Sequence, residues 1–332
     1  MSPDRGSTDP DEAVGGPSPP VLADVLAARA RLAGHVLDTP LRRYPALDRL
    51  VGTTTWVKHE NFQVTGAFKV RGGINLMARL VEQDKPGGVV TASTGNHGQS
   101  IARSAAEVGL SATVCVPEGA NPVKVEAVAD LGADVVAVGR DFDDAREHAE
   151  RLAAERGWRY VHSGNEPDLI AGVATATLEV LEALPELDAV LVPVGGGSGA
   201  AAAGLVVDAV GSRARVIGVQ SAAAPAAHHS WRAGRPVQGT TTTAAEGLAT
   251  RTAFSLPQQM MRHHLDDFLL VDDEELWQAT GELVGTTRSL VEPAAAAGLA
   301  GAKRLRDDLA GARIVLMVTG ANISPDQLRG VV

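Results

Sequence analysis

Beyond residue 20 the chain alternates two kinds of segment. Short runs are apolar and β-branched throughout, while longer Ala-rich runs repeat apolar residues every three or four positions. The first kind predicts strands over 54–60 (TTWVKHE), 88–93 (GVVTAS), 111–117 (SATVCVP), 133–138 (ADVVAV), 189–194 (AVLVPV), 215–220 (RVIGVQ), 267–271 (DFLLV) and 313–318 (RIVLMV). The second predicts helices over 21–34, where VLADVLAARARLAG ends on a glycine stop, and in HGQSIARSAAEVG, PVKVEAVADLGA, DFDDAREHAERLAAERG and DEELWQATGELVG. Strands without polar alternation are covered on both faces. Their alternation with helices predicts an α/β fold of mostly parallel sheets flanked by helices. Ligands in such folds sit at the carboxyl ends of strands, where turns lead into helices. Residues 234–247 (GRPVQGTTTTAAEG) read as a long loop.

Composition narrows the function. A length of 332 residues favours about two domains, and 45% hydrophobic with 21% charged residues is the ordinary globular mix. The formal net charge of −10 argues against a nucleic-acid backbone or an anionic membrane as partner. Aromatic residues, at 3%, are too few for a base-stacking surface. No apolar run approaches the ~20 residues of a membrane span. The single cysteine, Cys115, excludes an internal disulfide and any site built on several cysteines. The adjacent pairs His228–His229 and His263–His264 lack the spacing of a helix-face metal site, so no metal is expected. Residues 1–20, acidic and rich in Pro and Gly, predict a disordered tail and not a signal peptide. A soluble cytoplasmic protein is the expectation.

Three strand-to-helix turns carry candidate chemistry. In PVGGGSGAAAAGL, residues 193–205, consecutive glycines let backbone N–H groups gather round an anion at a helix N-terminus. A tight turn alone does not require three glycines followed by Ser-Gly, so a phosphate is the natural guest. The dinucleotide fingerprint is matched only weakly. It needs an acidic residue at the end of the next strand, where Gln220 stands, which disfavours a nicotinamide dehydrogenase. A phosphate site without dinucleotide logic suggests pyridoxal phosphate, whose aldehyde needs a lysine. Lysine is rare: Lys58, Lys69, Lys85, Lys124 and Lys303 stand against 25 arginines. Lys85 lies in a polar turn, Lys124 and Lys303 lie on helices, and Lys58 is expected to form a salt bridge. Lys69 follows the small residues and phenylalanine of QVTGAF, which leave room for a ring. In the third turn, TASTGNHGQSIA at 91–102, hydroxyls and free N–H groups at a helix start suit a carboxylate.

Together and in order, ENFQVTGAFKVRGG, TASTGNHGQSIA, PVGGGSGAAAAGL, VEPAAAAGLAG and VTGANIS resemble the fold-type II pyridoxal-phosphate enzymes, specifically the threonine/serine dehydratase and serine racemase branch. Weaker likeness extends the resemblance over roughly residues 21–324. It implies a two-domain, tryptophan synthase β-like fold: a large cofactor domain (21–87 plus 161–332), a small mobile domain (88–160) and a homodimer. It also implies a dehydratase that takes a β-hydroxy amino acid such as L-threonine or L-serine to a 2-oxo acid and ammonia. Lys69 would hold the cofactor aldehyde as a Schiff base and, once freed, take the Cα proton. Phe68 would pack beside the ring and Asn96 would bond its 3′-oxygen. Gly195, Gly196, Gly197, Ser198 and Gly199 would cradle the phosphate. Ser93, Thr94, Gly95, Asn96 and His97 would clasp the substrate carboxylate. Glu292 would lie near the cofactor, and the Thr319 hydroxyl would face the pyridine nitrogen. A hydroxyl is too weak an acid to keep that nitrogen protonated, which favours elimination over chemistry that stores charge at Cα.

The chain also departs from the family pattern. Ala67 replaces the serine before Phe-Lys, and Ser198 replaces the fourth glycine of the phosphate turn. Thr94 stands where racemases carry a serine as second acid/base, so it is the second catalytic candidate and racemisation an alternative. The run STGNHG also resembles hydroxyectoine-utilisation dehydratases. β-Replacement and a non-catalytic, cofactor-binding regulator are further alternatives. The carboxylates that bind a cation in racemase-like members are replaced by Gln220 and, nearby, Ala226. With the sequence ending at residue 332, neither the C-terminal regulatory domain of the biosynthetic threonine dehydratases nor feedback by isoleucine is expected.

Overall fold

The computed structural model describes residues 17–83 and 87–331. The expected tail therefore lies outside the described residues as far as residue 16, and Lys85 lies outside them too. Two sheets organise the chain. The larger holds β1 (Leu41–Arg43), β2 (Thr54–His59), β7 (Ala189–Pro193), β8 (Arg215–Ser221), β9 (Asp267–Val271) and β10 (Arg313–Val318), in the order β1-β2-β10-β7-β8-β9. Only β1 runs antiparallel. The smaller sheet is wholly parallel and holds β3 (Gly88–Ala92), β4 (Ser111–Val116), β5 (Asp134–Ala137) and β6 (Arg159–Tyr160), in the order β5-β4-β3-β6.

The eight strands that the apolar pattern predicts all form, with ends shifted by one residue at most. The central ones are buried along their length, as strands covered on both faces must be. Two strands carry no such pattern. β1 is Leu-Arg-Arg at the sheet edge, and β6 is two residues long. The helix expected over 21–34 spans Leu22–Leu32, and Gly34 takes the left-handed φ of 83°.

The helix Pro167–Ala183 packs between the sheets' other helices and is buried without a break from Leu169 to Leu178. It meets the helix Lys69–Glu82 at glycines on both sides: a Cβ on Gly172 would stand 2.4 Å from the Arg71 carbonyl oxygen, and one on Gly72 2.7 Å from that of Leu169. Backbone therefore touches backbone there. Ionic groups lock the same joint. Arg71, 1% exposed, donates to both oxygens of Glu60 (2.8 and 2.9 Å) and of Glu179 (2.6 and 2.9 Å). Lys58, also 1% exposed, pairs with Glu179 at 2.5 Å, the salt bridge expected of it. Burial works against the Glu60 charge, yet the Arg71 guanidinium holds its carboxyl below the usual range. Among the described residues no helix is long and apolar enough to cross a membrane.

Candidate active site

The carboxyl ends of β2, β3, β7 and β10 converge on one cavity of about 450 Å³. A cavity of that size holds a small organic cofactor and its substrate. Each end delivers one of the sequence motifs. After β2 the chain turns at Gly66, with φ 68°, and enters the helix that begins at Lys69. This turn is pinned to the end of β10: Phe68 N donates to Thr319 O (3.0 Å) and Ala321 N to Gly66 O (2.8 Å). Lys69 and Thr319 thus share one wall. β3 leads through Ser93, Thr94 and Gly95 into the helix Asn96–Glu107, and β7 leads into the helix Ser198–Ala209.

All fourteen residues nominated from the sequence line this cavity. Phe68, Lys69, Glu292 and Thr319 come from the larger sheet's side, as do Gly195 through Gly199. Ser93 through His97 come from the smaller sheet's side.

The glycine turn fits a phosphate. A Cβ on Gly195 would lie 2.2 Å from the Gly247 carbonyl oxygen, and one on Gly196 2.1 Å from the Phe254 ring. Gly197 adopts φ 92°, a conformation that side-chain-bearing residues avoid. Side chains are therefore excluded from the turn, and the backbone N–H groups at the start of the following helix are left for an anion.

Lys69 fits the aldehyde. Its Nζ donates to Ser198 Oγ at 2.8 Å and to the Ser163 carbonyl at 3.1 Å, which places the amine beside the glycine turn. Among the described residues the other lysines are ion-paired: Lys58 with Glu179, Lys124 with Glu246 at 2.5 Å, and Lys303 with Glu282 at 2.7 Å. Among the described residues no carboxylate lies within 4 Å of Lys69. Desolvation without a counter-charge pushes its amine down to about 8. That leaves a neutral, nucleophilic fraction near neutral pH.

The opposite wall is neutral and polar. Burial pushes His97 down to about 3. Its Nε2 meets Thr91 Oγ1 at 3.0 Å, and that hydroxyl donates its one proton to Val161 O at 2.8 Å. The imidazole is therefore a neutral Nε2–H tautomer turned towards Thr91. What His97 offers an anion is its backbone N–H, which together with those of Asn96 and Gly98 opens a helix and has no intrahelical partner. Burial raises the Glu292 carboxyl to about 6, although Asn96 donates to it at 2.8 Å.

Several lining residues were not singled out in the sequence. Phe254 closes on Gly196, and Asn322 bonds Asn96 at 2.6 Å. Glu246 reaches from the long loop to Lys124 on the smaller sheet's side. The loop's length and threonine content signal a lining segment, and Thr241 with residues 246–252 does line the cavity. The partners Phe254 and Lys124 carry no local signal. Gln220 accepts through Oε1 from His228 N at 2.9 Å. Among the described residues no three metal-ligating groups cluster.

The family model for pyridoxal-phosphate dependent enzymes matches residues 32–320. The chain belongs to that family, in its fold-type II architecture, and its cofactor is pyridoxal phosphate. It is 39% identical over 304 residues to an L-threonine ammonia-lyase of Geobacter sulfurreducens, covering 91% of this chain and 75% of the relative. It is 34% identical to the L-threo-3-hydroxyaspartate ammonia-lyase of Saccharomyces cerevisiae, covering 92% and 94%. Among solved structures, the processed form of threonine deaminase isoform 2 from Solanum lycopersicum superposes with a TM-score of 0.88 at 27% identity, covering 98% of each chain.

Proposed function

We propose that this chain is a dehydratase that releases a 2-oxo acid and ammonia from a β-hydroxy amino acid, L-threonine or L-serine first. The observation that carries the reading is Lys69, an unpaired, desolvated amine one hydrogen bond from a glycine turn that excludes side chains. Threonine ammonia-lyases among the relatives support it.

Pyridoxal phosphate supplies an aldehyde that captures an amine and a conjugated ring that withdraws electrons from the substrate's α-carbon. The residues of this chain do the rest. The N–H groups of the Gly195–Gly199 turn and the Ser198 hydroxyl would hold the phosphate, and Phe68 would flank the ring. Lys69 would hold the aldehyde until the substrate's amine takes its place, and its freed amine would then take the Cα proton. Ser93, Thr94, Gly95 and the N–H groups of Asn96 and His97 hold the substrate carboxylate. The Thr319 hydroxyl would leave the ring nitrogen unprotonated, so charge would not be stored at Cα. The Cβ–O bond would break as Lys69 takes the Cα proton, the hydroxyl departing as water with that proton returned from the Lys69 ammonium. Return of the Lys69 amine to the aldehyde would free the enamine, which takes up water to give the 2-oxo acid and ammonia.

Residues 88–160 act in this reading as a mobile unit that closes over bound substrate against residues 21–87 and 161–332. Lys124–Glu246 spans the two sides, and Arg251 reaches Asp143 at 3.6 Å across the same mouth. The reading also has the chain working in the cytoplasm as a homodimer. Exposed Leu37, Phe62, Val64 and Leu290 offer a face for it, since Leu37 is bonded to Gln63 and Asn61 to the Leu290 carbonyl. A second substrate reading is an acidic β-hydroxy amino acid, because Arg251, now paired with Asp143, is among the residues lining the cavity.

Replacing the lysine tests the reading. Lys69→Ala should lower turnover by more than ~10³-fold and abolish the visible absorbance of covalently held cofactor. A variant that keeps both overturns it.

A further inference from the structure

Asn322 closes a hydrogen-bond chain whose polarity can be read from one end. The Thr65 carbonyl oxygen can only accept. Asn322 Nδ2 stands 3.1 Å from it and 2.6 Å from Asn96 Oδ1, so both Asn322 amide protons are in use. Asn96 must then present its oxygen to Asn322 and its nitrogen to the other side. There Nδ2 donates one proton to Glu292 Oε1 at 2.8 Å, and among the described residues its second N–H has no partner. Asn322 itself lies close over Gly66. A Cβ on Gly66 would meet its Oδ1 at 2.9 Å, and the adjoining Ala321 N is bonded to Gly66 O at 2.8 Å.

We propose that Asn322 is a positioning residue that fixes which end of the Asn96 amide faces the cofactor, keeping a donor and not an acceptor there. An asparagine amide free to rotate reverses its two ends at little steric cost. A reversed Asn96 turns its oxygen towards the Glu292 carboxyl and towards the cofactor's ring oxygen, and opposed acceptors repel. The inference rests on the reading that this cavity holds pyridoxal phosphate against Asn96.

Asn322→Asp keeps the shape and removes both donors, which draws the Asn96 nitrogen away from the cavity. The test titrates pyridoxal phosphate into cofactor-stripped parent, N322D, N96A and the double variant, with circular dichroism to check folding. N322D should weaken cofactor binding by roughly tenfold or more and move the visible absorption band of the bound cofactor. In the N96A background the same change should add less than about twofold, because the relay has nothing left to orient. Binding within about twofold of the parent with an unmoved band overturns the proposal, and so does an undiminished loss in the N96A background. Should N322D not fold, N322A enters the same cycle and is judged by the same two criteria. A parent that binds the cofactor yet releases no 2-oxo acid refutes the dehydratase reading, while the titrations still decide the relay.

Discussion

Lys69 joins a chemical requirement to a thermodynamic penalty. An amine that must be neutral to capture an aldehyde is made so by removing water and withholding a counter-charge, which works against the charged form in the folded state. Its folded pKa of about 8 lies below the ordinary lysine value of 10.5. The unfolded chain therefore binds more protons between those two values, and folding stability rises with pH across that window. Below about pH 8 the full penalty is present. In cofactor-stripped protein, Lys69→Met should raise the midpoint of thermal unfolding at pH 7 by roughly 2–5 °C. The gain should shrink as the pH is taken from 8 towards 10. Thermal scans at both pH values check this, and a variant no more stable than the parent contradicts it. The sequence pointed to Lys69 through its neighbours, but the absence of a counter-ion became visible only once Lys58, Lys124 and Lys303 were seen paired with residues far along the chain.

At the scale of elements, the helix Lys69–Glu82 aims the catalytic lysine, and its first turn is held by Arg71. That side chain ties β2, through Glu60 beyond its end, to the helix Pro167–Ala183, through Glu179 and a 3.0 Å bond to Thr175 Oγ1. Removing it leaves two carboxylates in the interior short of their partner. Arg71→Met should therefore cost about 3–5 kcal/mol of folding stability, measured by urea unfolding. A loss below about 1 kcal/mol would show that the joint is held by packing alone. Legibility at this scale follows burial and length. Amphipathic helices such as Phe142–Arg156 and fully apolar strands such as β7 announce themselves through period and composition. Pro167–Ala183, covered on all sides, has no polar face to give it a helical period. β1 and β6 are too short to carry any pattern and exist because a neighbouring strand offers its edge.

For the molecule as a whole, function lies in the convergence of strand ends from two sheets. The motifs named the contributing turns, because Gly197 at φ 92° and Gly66 at φ 68°, before Lys69, answer to local backbone geometry. The closures between them were not legible. Phe254 against Gly196, Glu246 with Lys124, and Asn322 with Asn96 each join residues whose identity is set by the partner and not by the local chain. The fold is shared by enzymes with different outcomes at the same α-carbon, so the decisive observation is of products. The protein should be loaded with pyridoxal phosphate and given L-threonine, L-serine, L-threo-3-hydroxyaspartate and D-serine, with 2-oxo acid, ammonia and substrate enantiomers measured in one assay. The account predicts equal amounts of 2-oxo acid and ammonia from at least one L-β-hydroxy substrate, with little D-enantiomer. Accumulation of the D-enantiomer without ammonia, or no product from any substrate despite bound cofactor, would contradict it.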